Sequence, residues 1–242
     1  MKMNIVMPVV GRASRFREYG YTNPKPLIEI KGKPMVKWAT DSLPFITPEQ
    51  MIFVVLKDHI DEFQIDEKLR SLYSDKIRIV VANSVTEGAA CSVLLAKKYI
   101  DNDDGLIVYN TDQYFKSPVG NAISNKNQDI AGLIPVFQSN NPRWSFVKVD
   151  REGFALETAE KVPISSHATV GLYYFLRGSD FVWAAEQMIK KNIRRNNEFY
   201  VCPVYNELIR KGMKIKIVES DFMWSFGMPE DIEHFNAFYT ER

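Results

Sequence analysis

Cysteine is scarce in this chain. Only Cys91 and Cys202 occur in 242 residues, too few for a disulfide framework, and neither sits in a Cys-x-x-Cys pair. Histidine is nearly as rare: His59, His167 and His234 lie far apart and show no zinc-ligand spacing. An excess of one charge sign is missing as well. Lys and Arg number 31 against 30 Asp and Glu, a net charge of +1, which argues against a general nucleic-acid binder and requires any anion site to be local. No run approaches the ~20 apolar residues that span a bilayer. The apolar stretch Met3 to Val10 follows Lys2 but stops at Gly11-Arg12, too soon for a secretory h-region and cleavage site, so a buried first strand is expected there. The reducing cytoplasm is the expected compartment. Internal repeats, low-complexity tracts and linkers are absent too. What remains is 45% hydrophobic and 25% charged residues, an ordinary globular balance that excludes disorder and buries a core without staples.

The first half alternates buried strands with helices. Asn4 to Val10, Met51 to Leu56, Ile77 to Val81 and Gly105 to Asn110 read as near-continuous apolar strands. Helices are expected over Met35 to Leu43, behind Pro34, over Asp58 to Tyr73, and over Glu87 to Tyr99. Apolar strands spaced by helices indicate a parallel sheet covered on both faces. After residue 129 the pattern changes. Ile130 to Phe137, Ser145 to Val149, Phe154 to Glu160 and Thr169 to Phe175 are strands without long helices between them, and Asp150-Arg-Glu-Gly153 is a hairpin turn. Ser179 to Lys191, Pro203 to Lys211 and Pro229 to Tyr239 read as helices, with a strand over Met213 to Val218. The expected architecture is one α/β domain over residues 1–242. A mostly parallel, nucleotide-binding half (1–128) is joined to an antiparallel-rich half (129–242).

Three segments carry chemistry. Val10-Gly-Arg-Ala-Ser-Arg-Phe16 leaves the carboxyl end of the first strand, where open α/β sheets bind ligands. Gly11 lets backbone approach an anion, Arg12 and Arg15 fork onto phosphate oxygens, and Lys25 is stiffened between Pro24 and Pro26. A solvated basic loop is the plainer alternative. The segment is neither a dinucleotide G-x-G-x-x-G nor a P-loop. Tyr109-Asn-Thr-Asp112 ends a buried strand on the same edge. Asp112 is placed to bind Mg²⁺, a hard cation held by one or two carboxylates plus substrate phosphates; otherwise it closes an Asx turn. Thr86-Glu-Gly-Ala-Ala-Cys91 opens a helix, with small residues against which a flat base can lie and free N–H groups at the helix start.

These segments, in this order, resemble the sugar-phosphate nucleotidyltransferases. Met7-Pro-Val-Val-Gly-Arg-Ala-Ser-Arg-Phe16 is similar to the family's G-x-G-[ST]-R-[LF] signature. Asn23-Pro-Lys-Pro-Leu-Ile28 and Lys31-Gly-Lys-Pro-Met35 are similar to its P-K-P-L and G-K-P-M segments, and Glu87-Gly-Ala-Ala90 to its base-binding turn. Asn110-Thr-Asp112 resembles the strand-end metal Asp, Glu160-Lys161 the acceptor E-K, and Thr169 to Phe175 the G-x-Y-x-F strand. Glu198-Phe-Tyr200 resembles a late acidic segment of the acceptor pocket, and Gly227-Met-Pro-Glu-Asp231 the closing G-T-P-E-D. The resemblance runs over nearly the whole chain. It implies a Rossmann-like, GT-A-like nucleotidyltransferase fold and transfer of a nucleoside monophosphate from an NTP to a phosphorylated small molecule, with release of pyrophosphate.

The roles it implies follow residue by residue. Val10, Gly11, Arg12, Ala13, Ser14, Glu87, Gly88, Ala89 and Asn110 bind the nucleotide. Arg15 and Lys25 neutralise phosphates, and Lys161, Gly171, Glu198, Tyr200 and Trp224 meet the acceptor. Asp112, with Asp221 as the nearest second carboxylate, holds Mg²⁺. The chain departs from the pattern at three places. Ala13 stands for the second signature glycine, Met228 for the threonine of G-T-P-E-D, and Ser225 where many members have a metal-binding Asp beside the Trp. Among the aromatics, Trp144, Tyr173, Tyr174, Tyr200 and Trp224 are candidates for either pocket or core. The acceptor phosphate is already largely dianionic at neutral pH and needs no general base, so catalysis reduces to positioning and charge neutralisation. Expected partners are an NTP and a phosphorylated small molecule; for so compact a chain the resemblance implies a pyrimidine base. Neither nucleic acid nor a membrane is expected, and homo-oligomerisation stays open. Two other classes remain. One is an NDP-sugar-dependent glycosyltransferase, whose D-x-D is matched only by Asp101-Asn-Asp103, ahead of the metal strand. The other is a nucleotide sensor that has lost its metal site.

Overall fold

In a computed structural model, which describes residues 2–125 and 129–240, the first apolar run forms β1 (Met3–Val9), and the loop after it enters the short helix α1 (Ser14–Glu18). A two-residue hairpin, β2 (Glu29–Ile30) and β3 (Lys33–Pro34), leads into α2 (Met35–Asp41). Then come β4 (Met51–Leu56), α3 (Lys57–Phe63), α4 (Ile65–Leu72) and β5 (Arg78–Ala82). α5 (Ala89–Leu94) and α6 (Lys97–Ile100) precede β6 (Gly105–Tyr109), β7 (Gln113–Lys116) and α7 (Val119–Asn125). The second half contains β8 (Ile130–Gln138), β9 (Ser145–Val149), β10 (Ala155–Glu160), β11 (His167–Thr169) and β12 (Leu172–Phe175). It closes with α8 (Gly178–Lys190), α9 (Tyr205–Arg210), β13 (Lys214–Glu219), β14 (Phe222–Ser225) and α10 (Pro229–Phe238).

One sheet takes strands from both halves, in the order β10-β9-β11-β8-β12-β6-β1-β4-β5, with β13 also on β8. Its parallel pairs are those of β6-β1-β4-β5 and, in the second half, β13 on β8, and β12 joins β6 antiparallel. The α/β class and the parallel-then-antiparallel order expected from the sequence are what the sheet shows. The expected boundary between the halves, after residue 128, lies outside the described residues.

The apolar runs are continuous because both faces of the parallel strands are covered. Val6 of β1 and Val10 just beyond it pack beneath α5, α8 and α9 with Val54, Val108, Phe181 and Leu208. The alternate residues Ile5, Met7 and Val9 pack on the other face with Phe53, Ile107 and Val36 of α2. A third cluster, Phe16, Ile30, Trp38, Phe226 and Phe235, sits beside a separate ribbon in which β7 and β14 pair antiparallel. Parallel register puts the carboxyl ends of β1, β4, β5 and β6 on one edge. That edge carries the loops expected to bind the nucleotide.

Candidate active site

Because Val6 pairs with Val108 in parallel, the loop leaving Val10 and the segment Asn110 to Asp112 emerge side by side. Val10 is buried, and Gly11 to Arg15 run exposed or half-exposed along the edge. Ala13 holds a left-handed backbone, φ 51° and ψ 40°, at the turn into α1, a conformation that favours glycine. Arg15 is exposed, with Nη1 3.1 Å from the Met228 sulfur. Arg12 turns instead toward the end of β4 and pairs with Asp58 at 3.1 Å.

Lys25 opens a single 3-10 turn, Lys25–Leu27, between its two prolines. Its Nζ lies 2.6 Å from Asp112 Oδ2 and 3.4 Å from the Gly227 carbonyl, across more than eighty residues of chain. The two side chains are only 21% and 23% exposed. The other oxygen, Asp112 Oδ1, is buried and has no hydrogen-bond partner among the described residues. A buried carboxylate oxygen left open beside a paired one suits a hard cation, which prefers oxygen ligands and completes its shell with phosphates and water. No group of three or more His, Cys, Asp or Glu side chains fit to hold a metal occurs among the described residues, so a metal here would rely on substrate oxygens.

The Glu87 to Ala90 turn and the segment around Phe199 are stitched together. Gly88 has φ 121°, and a Cβ there would come within 2.5 Å of the Phe199 carbonyl oxygen. The Phe199 N–H donates to the Glu87 carbonyl at 2.7 Å, and the Ala90 N–H to the Phe199 carbonyl at 3.0 Å. Ala89 begins α5, while the Glu87 carboxylate is exposed and paired with Arg194. Just past β6, the Asn110 N–H donates to the Gly171 carbonyl at 3.0 Å. Gly171, at φ 77°, has no room for a Cβ beside Gln113 and Asn110.

Among the residues expected to meet the acceptor, Lys161 Nζ donates to the Tyr200 hydroxyl at 2.7 Å. Burial, then the neighbouring Glu198, pushes the Tyr200 phenol well up, and the Arg15 charge partly opposes this. Arg15 is thus near enough for its charge to act on the Tyr200 phenol. Burial also raises the Glu160 carboxyl, although the Ser145 hydroxyl donates to it. Tyr173 and Tyr174 are core residues.

Two expectations fail on geometry. Asp221 does not lie beside Asp112. Phe222 pairs with Lys116 and Ser225 with Gln113, so Asp221 lies at the far end of the ribbon, roughly 15 Å along the strand from Asp112. Its carboxylate is 60% exposed and 3.9 Å from Lys116. Trp224 does not share a cavity with Lys161 and Tyr200. Strand alternation turns it to the opposite side from Ser225, edge-on to Phe235 at 5.3 Å, where it lines a cavity of about 870 Å³ with Tyr114, Phe222 and Tyr239. Ser225, at the expected carboxylate position, commits its hydroxyl to Asp231 Oδ2 at 2.8 Å and accepts the Gly227 N–H at 3.0 Å. Asp101 and Asp103 lie in an exposed turn before β6.

Sequence reasoning missed the Gly227 carbonyl on Lys25 and an ion pair between Arg143 and Asp231 at 2.9 Å. Asp231 carried a signal, since an acidic residue three positions past a helix start is a capping position. Arg143 carried none.

A family model described as nucleotidyl transferase matches residues 4–242. The bifunctional protein GlmU of Methanocaldococcus jannaschii is 24% identical over 99% of the chain, which spans only 55% of that relative's length. The UTP–glucose-1-phosphate uridylyltransferase AglF of Haloferax volcanii is 24% identical over 95% of the chain and 93% of its own. A crystal structure of the nucleoside-diphosphate-sugar pyrophosphorylase from Vibrio cholerae RC9 superposes with a TM-score of 0.79 at 27% identity, covering 96% of this chain and 99% of that one.

Proposed function

The chain belongs to the nucleotidyl transferase family, and on that premise we propose that it transfers a nucleoside monophosphate from a pyrimidine NTP to a sugar 1-phosphate, with Mg²⁺ as cofactor. The observation that carries this reading is the Lys25–Asp112 pair, with an open Asp112 oxygen, on the sheet edge that also presents Arg15. The uridylyltransferase name of the Haloferax relative supports both the base and the acceptor class.

The acceptor phosphate oxygen attacks the α-phosphorus. The bond from that phosphorus to the bridging oxygen breaks, and pyrophosphate leaves with the electron pair. Repulsion between anions is the barrier, so the protein's work is to hold them in line and offset their charge. Gly11 backbone and Arg15 hold the triphosphate. Lys25 releases Asp112 and donates to the α-phosphate and the departing bridge oxygen. Lys161, its backbone set at φ 54°, donates to the acceptor phosphate from its place beside Tyr200. Asp112 would hold Mg²⁺, which supplies further positive charge across the phosphates.

The test is a panel of the four NTPs against sugar 1-phosphates and phosphocholine, read as pyrophosphate release. At least one pair should release pyrophosphate in step with nucleotide-linked product, and excess EDTA should stop it. Release of a nucleoside diphosphate from a finished NDP-sugar, with no pyrophosphate from any pair, would make the protein a glycosyltransferase. Tight NTP binding without turnover would make it a sensor.

A further inference from the structure

Arg143 stands in the turn between β8 and β9, on the acceptor side, 88 residues away in sequence from its partner Asp231 at the start of α10. Its guanidinium lies over the Trp144 ring, 4.1 Å from the centroid, and Trp144 is braced edge-on by Phe137 at 5.5 Å. The Trp144 carbonyl accepts the Lys161 backbone N–H at 2.9 Å. Arg143 is thus fixed to the acceptor segment at one end and to α10 at the other.

Asp231 is only 15% exposed and is fully engaged. Oδ1 takes Arg143, while Oδ2 accepts the Ser225 hydroxyl at 2.8 Å and the Met228 N–H at 3.1 Å. Ser225 in turn accepts the Gly227 N–H. The turn so held delivers two backbone groups to the reaction pair: the Gly227 carbonyl accepts from Lys25 Nζ, and the Phe226 N–H donates to the Asp112 carbonyl at 2.7 Å.

We propose that Arg143 is a positioning residue: by gripping Asp231 it holds the 225–228 turn, and through that turn the Lys25–Asp112 pair. An ordinary surface ion pair contributes little, about 0–1 kcal/mol, and its loss would leave the turn unchanged. The kinetic consequence rests on the function proposed above; the effect on the turn does not.

The experiment compares the full chain with Arg143→Met, which keeps the stem over Trp144 and removes the charge, and Arg143→Lys, which restores it. Amide hydrogen exchange without ligand should be at least tenfold faster at Phe226 and Gly227 in Arg143→Met, unchanged in β1 and β4, and back within threefold of wild type in Arg143→Lys. With the best pair from the NTP and acceptor panel, kcat should fall tenfold or more while KM for the NTP stays within twofold. On an Asp231→Asn background, Arg143→Met should cost less than a further twofold. If Asp231→Asn fails to fold, exchange in the two Arg143 variants decides. Unchanged exchange at Phe226 and Gly227, or additive losses, overturns the proposal, and so does a loss confined to acceptor KM, which would make Arg143 an acceptor ligand. Faster exchange in a protein that releases no pyrophosphate from any pair keeps the positioning role and removes the proposed function.

Discussion

Lys25→Met removes an ammonium 2.6 Å from Asp112 Oδ2 and keeps most of the stem. Two effects should follow, of different size. Loss of one preorganised charge contact at a phosphoryl centre costs about 10²–10³ in kcat, roughly 2.7–4 kcal/mol. Stability should fall less. An exposed pair contributes about 0–1 kcal/mol, whereas orphaning one charge of a buried pair costs about 3–5. With each partner a fifth to a quarter exposed, the loss should sit between these limits, about 1–2 kcal/mol, or roughly 2–8 °C in Tm for a chain of this size. The variant leaves both Asp112 oxygens without a cation, since Oδ1 already lacks a partner. Added Mg²⁺ should therefore raise Tm more in Lys25→Met than in wild type, by binding only the folded state. The assays are pyrophosphate release at saturating NTP and thermal unfolding with and without Mg²⁺. Near-normal kcat/KM would reduce Lys25 to a bland surface charge, and an Mg²⁺ response no larger than that of wild type would remove the metal from Asp112.

Three further outcomes are expected. Asp112→Asn should abolish detectable pyrophosphate release with the fold intact by circular dichroism, whereas Asp221→Asn, far down the ribbon, should stay within twofold of wild type; equal severe losses would refute the one-carboxylate site. Ala13→Gly should raise stability by on the order of 1 kcal/mol, since alanine is strained at φ 51°, seen as a Tm gain of about 2–4 °C; a lower Tm would contradict this. Burial raises the Glu160 carboxyl above 4.5, so the folded chain holds that proton more tightly than the unfolded one. Its contribution is full below about 4.5 and is lost as pH rises through the raised value. Glu160→Gln should therefore lose less stability than wild type between pH 4.5 and 7, and parallel Tm–pH curves would refute the shift.

The parallel strands were legible because burial on both faces leaves a mark that needs no partner: Met51 to Leu56 is apolar at every position. The place of Asp112 was legible for the same reason: it follows a buried strand and so lies at the sheet edge, where the structure pairs it with Lys25. Boundaries set by single backbone conformations were not legible. The helix expected over Asp58 to Tyr73 divides at Gln64, which is left-handed with φ 52°, and the one expected from Glu87 starts at Ala89 because Gly88 takes a non-helical, positive-φ backbone against Phe199. The helix Val119–Asn125 and the ribbon strands Gln113–Lys116 and Phe222–Ser225 were too short to show a period. Missing the ribbon had a consequence at the site. Proximity in sequence suggested Asp221 as the second metal ligand, but antiparallel register brings Ser225, not Asp221, level with the start of β7. Contacts such as Arg143 with Asp231 depend on the tertiary fold and leave no local pattern.

The central claim is that the NTP breaks between its α- and β-phosphates and that the α-phosphate passes to an acceptor phosphate. Tracing label through one turnover tests it most directly. With Mg²⁺ and the best acceptor from the panel, NTP labelled at the γ-phosphate should yield all of its label in pyrophosphate. NTP labelled at the α-phosphate should yield all of its label in the nucleotide-linked product. Label from the γ-position on the acceptor or in orthophosphate, or α-label released as free nucleotide, would contradict the account.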